Sequence, residues 1–407
     1  MPPVPSRSHA RVWALCFFAS LIEGYDLQSA GLAAPTLVAE QELSRLQLGW
    51  VFSGNTMGLF GGALIGGTLS DRVGRRAVLA GSLLAFGIFS IGSGLSSGFT
   101  DLTLMRFLTG LGLGAAFPNL ISMIAEAGRP QGRAGRVTVV TAGMPLGGAA
   151  AALLVRFVEA FDWRAIFHVG GVAPILLAIL VWTLLPPMDA KAVTEAAKRS
   201  GIILALFGED RAIRTLALWF ASFCTLLMLY LLLNWLPMLM TAQGLDKGSV
   251  GWAAFGFSTA GVCGAVLFGL LIARRFGTGT LLCGFALLAV SLAALAAASG
   301  TTAIFAASAT GFFVVGVQFA LYGLSADCYP EAVRGTGTGA AVAAGRLGAI
   351  AGPMLAGVLL ATGMAVPQLL LALIPLSLLA AVATVILRVR LRRNVVQTGR
   401  FRTAVPP

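Results

Sequence analysis

Glu23 and Asp26 stand in the stretch "LIEGYDLQSAG" (Leu21–Gly31), inside a largely apolar run from Val12 to Val38. At i and i+3 of a helix they occupy neighbouring sectors of one face. A carboxylate near the centre of a bilayer costs about 2.5–3.5 kcal/mol on insertion scales. Two held close together in low dielectric cannot both ionise cheaply. A pair placed this way can load a proton from one side of a membrane and release it to the other, which is what proton coupling requires. Neutralising Asp26 is therefore expected to abolish accumulation of a solute while sparing its exchange.

Three arginines lie within comparable apolar spans, and Arg156, near an outer helix end beside Glu159, reads as snorkelling to the interface. Arg106 falls about five residues, or ~7–8 Å, inside the outer end of its helix. There it could pair with the helix-one acids, or snorkel to the interface. Arg346 falls ~16 Å into a span starting near Gly335, at about the bilayer midplane. An arginine cannot shed its proton, and its planar fork suits a carboxylate. Arg346 is therefore suited to a carboxylate partner, either a bound anion or a helix-one acid at rest. Tyr230 and Asn234, and likewise Gln318 and Tyr322, are i, i+4 pairs that share a face. With Asn119, and further Asn55 and Gln28, they could hydrogen-bond a polar solute or tie helix to helix.

The elements that must position these groups are membrane helices. The chain of 407 residues is 57% hydrophobic and only 11% charged, against about 25% charged in soluble domains. Its net charge of +12 is distributed by topology, and no nucleic-acid partner is expected. Twelve candidate helices follow, near 11–37, 47–69, 78–98, 101–124, 136–158, 165–185, 213–240, 249–272, 279–298, 302–327, 336–361 and 366–388, each long enough to cross a ~30 Å hydrocarbon core. With both termini cytoplasmic, 22 of the 28 Lys and Arg residues fall on the cytoplasmic side, which fixes the orientation. The first helix does not read as a cleaved signal peptide. The five cysteines carry no CxxC spacing and read as buried small hydrophobes.

The polar segment 189–212 separates an N-terminal six-helix half (1–188) from a C-terminal half with a basic cytoplasmic tail (213–407). Internal repetition supports this division. "GTLSDRVGRR" (Gly67–Arg76) is echoed weakly by "GLLIARRFG" (Gly269–Gly277), and "AEAGRPQGR" (Ala125–Arg133) by "ADCYPEAVR" (Ala326–Arg334). The same offset sets Pro145 opposite Arg346 and Gly147 opposite Gly348. Parallel halves with a midplane site between them suit alternating access. Gly54, Gly58, Gly62 and Gly66 make a smooth stripe on the second helix, suited to close approach and sliding. Gly67, Asp71, Arg72, Gly74, Arg75 and Arg76 are expected to form a cytoplasmic latch with Glu126 and Arg133 that sets the balance of states.

"GGTLSDRVGRR" and "RFLTGLGLGAAFPN" (Arg106–Asn119) resemble the loop and fourth-helix signatures of the major facilitator superfamily. Within it, "EGYDLQSAGLAAP", "NWLP", "YPEAVRGTGTG" and "GRLGAIAGPMLAG" resemble the aromatic acid:proton symporters, and the "DLQ-A-G-AA" wording of helix one resembles their hydroxyphenylpropionate branch. The resemblance implies the major facilitator fold and proton-coupled uptake of a small aromatic carboxylate in a multi-pass protein of the bacterial inner membrane. It also implies partners limited to substrate, protons and lipid, with a monomer expected and no cofactor or metal beyond the proton gradient. Asp26, Glu23 and Arg106 would couple the proton, while Arg346, Tyr230, Asn234, Gln318, Tyr322 and Asn119 would bind substrate. Two departures stand out. Glu23 replaces the usual Asp before Gly24, and Ala273 replaces an acid in the second loop echo. The alternative is a drug/proton antiporter, since "GMPLGG" partly matches the antiporter motif, but Met144 stands where that motif has Gly. An enzyme is not expected, as no HExxH or nucleophile arrangement is present.

Overall fold

The computed structural model describes residues 6–126, 140–157, 162–185, 206–208, 211–273, 277–325, 328–329 and 334–402. Among them are twelve long helices: α1 (Ser6–Gln41), α2 (Arg45–Val73), α3 (Arg75–Leu95), α4 (Phe99–Glu126), α5 (Gly143–Phe157), α6 (Trp163–Leu184), α7 (Ala212–Ala242), α8 (Lys247–Ala273), α9 (Gly277–Ala297), α10 (Thr301–Ser325), α11 (Arg334–Ala361) and α12 (Val366–Arg402). Eight are long and apolar enough to cross a membrane by length and composition. The remaining four are α1, α2, α4 and the short described part of α5. They include the helices that carry Glu23, Asp26 and Arg106, whose polar residues lower the mean hydropathy and turn inward. Large apolar side chains such as Phe18, Leu64, Ile88, Val169, Phe305 and Val382 cover the outside of the bundle, as a lipid-facing surface requires.

Helix ends follow local chemistry. Ser44 and Gln47 form a reciprocal capping box at the start of α2, and Asp162 caps α6. The break between α2 and α3 falls at Gly74, whose φ of 87° suits glycine. The expected helix limits were too tight at several ends. Helix α1 runs on to Gln41, α12 to Arg402, and α4 starts at Phe99, so Arg106 lies deeper than its sequence position implied.

The helices pack twice in the same way. In the first half α1 packs on α4, α5 and α6, α2 on α4, and α3 on α4 and α6. In the second, α7 packs on α10, α11 and α12, α8 on α10, and α9 on α10 and α12. Adding six to each label converts one set into the other. The glycines show the repeat at atomic scale. A Cβ on Gly147 would overlap the Leu21 carbonyl of α1, and one on Gly348 the Phe223 carbonyl of α7. These are the two glycines that the repeat sets opposite each other. The α2 stripe serves the same end, with Gly58, Gly62 and Gly66 against the α4 backbone at Phe107, Leu111 and Ala115. Helix α4 returns Gly110 and Gly114 against Asn55 and Leu59, a packing of backbone on backbone that small residues permit.

Some expectations need correction. Cys16, Cys224 and Cys328 are buried, but Cys263 and Cys283 are exposed, on the outside of α8 and α9. Arg76 reaches the end of α6. Its Nη1 donates to the Leu185 carbonyl at 2.8 Å, with the guanidinium 4.6 Å from the Trp182 ring, because the free carbonyls at the end of α6 attract a cation. Arg72 is exposed, Gly67 has open space around it, and Arg75 is half-buried. The side chains of Asp71 and Glu126, the residue Arg133, and most of the 189–212 boundary lie outside the described residues.

Candidate functional site

The helix-one acids sit where α1 meets four other helices. Asp26 is held in a fork by Arg106 of α4, with Nη1 donating to Oδ1 at 2.8 Å and Nη2 to Oδ2 at 3.0 Å. Arg106 is 0% and Asp26 1% exposed. The guanidinium lies 5.4 Å from the Phe167 ring of α6, and Tyr25 ties α1 to the same helix by donating to the Ile166 carbonyl at 3.1 Å. Arg106 therefore does not snorkel: an arginine that finds a bidentate carboxylate has no need of the interface.

Glu23 is placed differently. It is 3% exposed, and its Oε1 is buried without a hydrogen-bond partner. Burial is the largest influence and disfavours its charged form; among the charges, Arg346 attracts it from the other half and Asp26 repels it. Arg346 is half-buried, and its Nη1 donates to the Tyr230 hydroxyl of α7 at 2.9 Å. Among the described residues no carboxylate lies within ion-pair distance of it. Tyr322 of α10 is close enough to interact with both Arg346 and Tyr230, with Gln318 beside it. The Gln318 amide is 1% exposed, lies against Tyr322 and makes no well-formed hydrogen bond. Glu23, Arg346, Tyr230, Tyr322 and Gln318 thus form one polar cluster that spans the two halves.

Two of the expected binding residues are not part of it. Asn119 turns its amide onto the Ala115 carbonyl at 2.8 Å and toward the Gly66 carbonyl of α2 at 3.5 Å. It lies more than three turns along α4 from Arg106, about 20 Å at 1.5 Å per residue. Asn234 donates to the Tyr230 carbonyl at 2.8 Å, and its backbone is what a Cβ on Gly31 would strike. Both serve helix contacts, because an amide inside a helix finds the carbonyl one turn back.

The halves are joined along the ends of α1, α2, α5, α7, α8 and α11 that lie toward Glu40. Ser258 of α8 donates to Gln28 Oε1 at 2.8 Å, and Gln28 Nε2 reaches the Ala254 carbonyl at 3.5 Å. Ser53 of α2 donates to the Ile350 carbonyl at 2.9 Å, and Arg45 to that of Leu360 at 3.2 Å. Gly49 meets Gly357 where α2 crosses α11. Beyond this seam Glu40 accepts from Arg164 Nη2 at 2.7 Å and from the Trp163 indole at 2.6 Å. Those bonds hold its carboxyl below the usual carboxylate range and strap the end of α1 to α6. The seam escaped sequence reading. Gln28 stood out only as a polar residue, and nothing near Ser258 marks a partner 230 positions away.

Gly31→Ala is expected to open this seam, because the added methyl has no room against the Asn234 backbone. Spin labels at Glu42 and Ala242 should then read a longer distance than in the wild type. An unchanged distance would show that α1 and α7 need not approach this closely.

The sequence matches the Major Facilitator Superfamily over residues 16–238 and again over 218–406. It is 40% identical over 394 residues to the 3-(3-hydroxy-phenyl)propionate transporter of Escherichia coli (strain K12), covering 96% of this chain and 97% of that one. It is 32% identical to a 4-hydroxybenzoate transporter of Pseudomonas putida, covering 94% and 93% of the two chains, and 30% identical to a gallate transporter of the same species, covering 92% and 90%. Among solved structures, a D-xylose–proton symporter matches with a TM-score of 0.75 at 18% identity, covering 93% of this chain and 97% of that one. A bacterial homologue of the lysosomal transporter Spinster, inward-facing and unoccupied, matches with a TM-score of 0.74 at 18% identity, covering 95% and 97%. The repeated six-helix packing, the intramembrane charges and both sets of matches agree: this multi-pass membrane protein belongs to the Major Facilitator Superfamily.

Proposed function

We propose that the protein takes up small aromatic carboxylates together with protons across the bacterial inner membrane, by alternating access. It is a transporter and not an enzyme, like its relatives. The observation that carries the substrate class is Arg346, a charged fork within a membrane span, held by one bond to Tyr230 and facing no ion-pair partner among the described residues. A permanent cation left open in this way suits an anionic ligand far better than the cationic or neutral solutes of a drug exporter. Tyr230, Tyr322 and the amide of Gln318 offer polar contacts for the remainder of a hydroxylated ring. Relatives named for hydroxyphenylpropionate, 4-hydroxybenzoate and gallate transport support that choice.

Glu23, Asp26 and Arg106 supply the coupling machinery. We place both termini in the cytoplasm on the skew of Lys and Arg, which makes the Glu40 side the outer one. The seam then closes the outside. Gly67, Asp71, Arg72, Gly74 and Arg75 act in the opposing cytoplasmic latch with Glu126 and Arg133, while Arg76 anchors α3 to α6. Segment 189–212 links the halves of a monomer, and the proton gradient drives the cycle without a cofactor.

The test is uptake of labelled 3-(3-hydroxyphenyl)propionate by cells producing the protein, with and without a protonophore. Accumulation that collapses with the protonophore is expected. Absence of uptake for this acid, and for benzoates and cinnamates, by a correctly inserted protein would overturn the reading.

A further inference from the structure

We propose that the two helix-one acids divide the work: Glu23 alone carries the transported proton, while Asp26 stays ionised as the fixed counter-ion of Arg106, and Arg346 serves Glu23 and the substrate carboxylate in turn. This rests on the symport reading given above and adds to it the identity of the carrier and a stoichiometry.

Both carboxylate oxygens of Asp26 accept from Arg106, at 2.8 and 3.0 Å, and both residues belong to the same half. A proton on Asp26 would displace one of those bonds and leave a fully buried guanidinium, which cannot deprotonate, without its counter-charge. The fork is therefore a poor place to load and unload a proton on every cycle. Glu23 has the opposite features. Its Oε1 is buried and unpartnered, so a proton can be added there without breaking a hydrogen bond. Its attracting charge, Arg346, belongs to the other half and makes no ion pair with it. The charged and titratable groups around the cluster are Asp26 on α1, Arg106 on α4, Tyr230 on α7, Tyr322 on α10 and Arg346 on α11. Helix α5 faces this part of α1 with Gly143, Met144 and Gly147, none of which titrates.

A charge balance follows. With no substrate bound, Arg346 is the cation that offsets Glu23 from the other half, and Arg106 offsets Asp26 through the fork. A substrate carboxylate takes the open donors of Arg346, and Glu23 is left facing the negative charge of Asp26 with nothing to offset it. It then takes one proton onto its carboxylate. Departure of the substrate on the other side restores Arg346 to Glu23, which returns the proton to water. One proton therefore travels with each carboxylate, and a monoanion moves without net charge.

The experiment is calorimetric titration of the purified full-length protein with 3-(3-hydroxyphenyl)propionate in two buffers of different ionisation enthalpy, which counts protons taken up per ligand bound. The wild type is expected to take up one, Glu23→Gln none with binding retained, and Glu23→Asp one again. Binding by Glu23→Gln with an undiminished proton count would overturn the division of labour alone. Failure of the wild type to bind the acid, or any aromatic carboxylate, would overturn the symport reading and this inference with it. Electrogenic uptake by wild-type protein in voltage-clamped liposomes would overturn the one-to-one balance without recourse to a variant.

Discussion

Replacing Arg346 with Lys is expected to raise the Kd for an aromatic carboxylate by roughly 10- to 100-fold. A hydrogen bond to a charged group contributes about 1.5–3 kcal/mol, and the planar fork makes two in parallel where an ammonium acts as a point charge. Each 1.4 kcal/mol is about tenfold in affinity. The loss should fall on every aromatic acid alike, whatever its ring substituents, because the carboxylate is their common feature. Titration of the purified variant with 3-(3-hydroxyphenyl)propionate and with unsubstituted phenylpropionate reads both statements. An unchanged Kd for both would move the carboxylate site away from α11. The contact to Tyr230 at 2.9 Å gives an internal control. Tyr230→Phe keeps the ring that packs beside Arg346, and removes only the hydroxyl that orients it.

Asp26→Asn is expected to abolish both net accumulation and exchange and to lower the Tm of the purified protein. Sequence alone pointed to a variant that still exchanges, because it treated the two acids as interchangeable proton carriers. The fork with Arg106 changes that expectation. Breaking a buried pair by neutralising one member costs about 3–5 kcal/mol, since the other charge stays buried and unpaired. That is a large part of the stability of a protein domain, about 5–15 kcal/mol. Arg106 is 0% exposed and its Nε already lacks a partner, so it has no second carboxylate to turn to among the described residues. Removing both charges, in Asp26→Asn with Arg106→Gln, should recover much of the Tm without restoring transport. Exchange at the wild-type rate by Asp26→Asn would show that the fork is dispensable and would return Asp26 to the list of proton carriers.

Sequence carried much of this molecule, and the reasons for its limits are physical. The repeat was legible because each half uses glycine for the same close approach, so Gly147 and Gly348 stand in corresponding helix pairs. The acids and arginines were legible because a charge in an apolar span is costly and must be compensated. Which arginine serves which acid was not, since Arg106 is 80 positions from Asp26 and the pairing depends on how α1 turns against α4. The seam toward Glu40 was hidden for the same reason: Gln28, Ser258, Gly31 and Asn234 meet only once the halves dock. Asn119 misled because an amide on an inward face can be spent on helix backbone, and spacing does not distinguish the two uses. Arg76 misled because the carbonyl end of α6 lies nearby in space and 109 positions away in sequence.

The most direct test of the account is made with purified protein in liposomes that hold a pH-sensitive dye and start with equal pH on both sides. Addition of 3-(3-hydroxyphenyl)propionate to the outside, against a control of protein-free liposomes, should acidify the interior as labelled acid enters, with one proton for each molecule taken up. Entry of the acid with no change of internal pH, or with an alkaline shift, would contradict symport, and the alkaline shift would identify a proton antiporter instead.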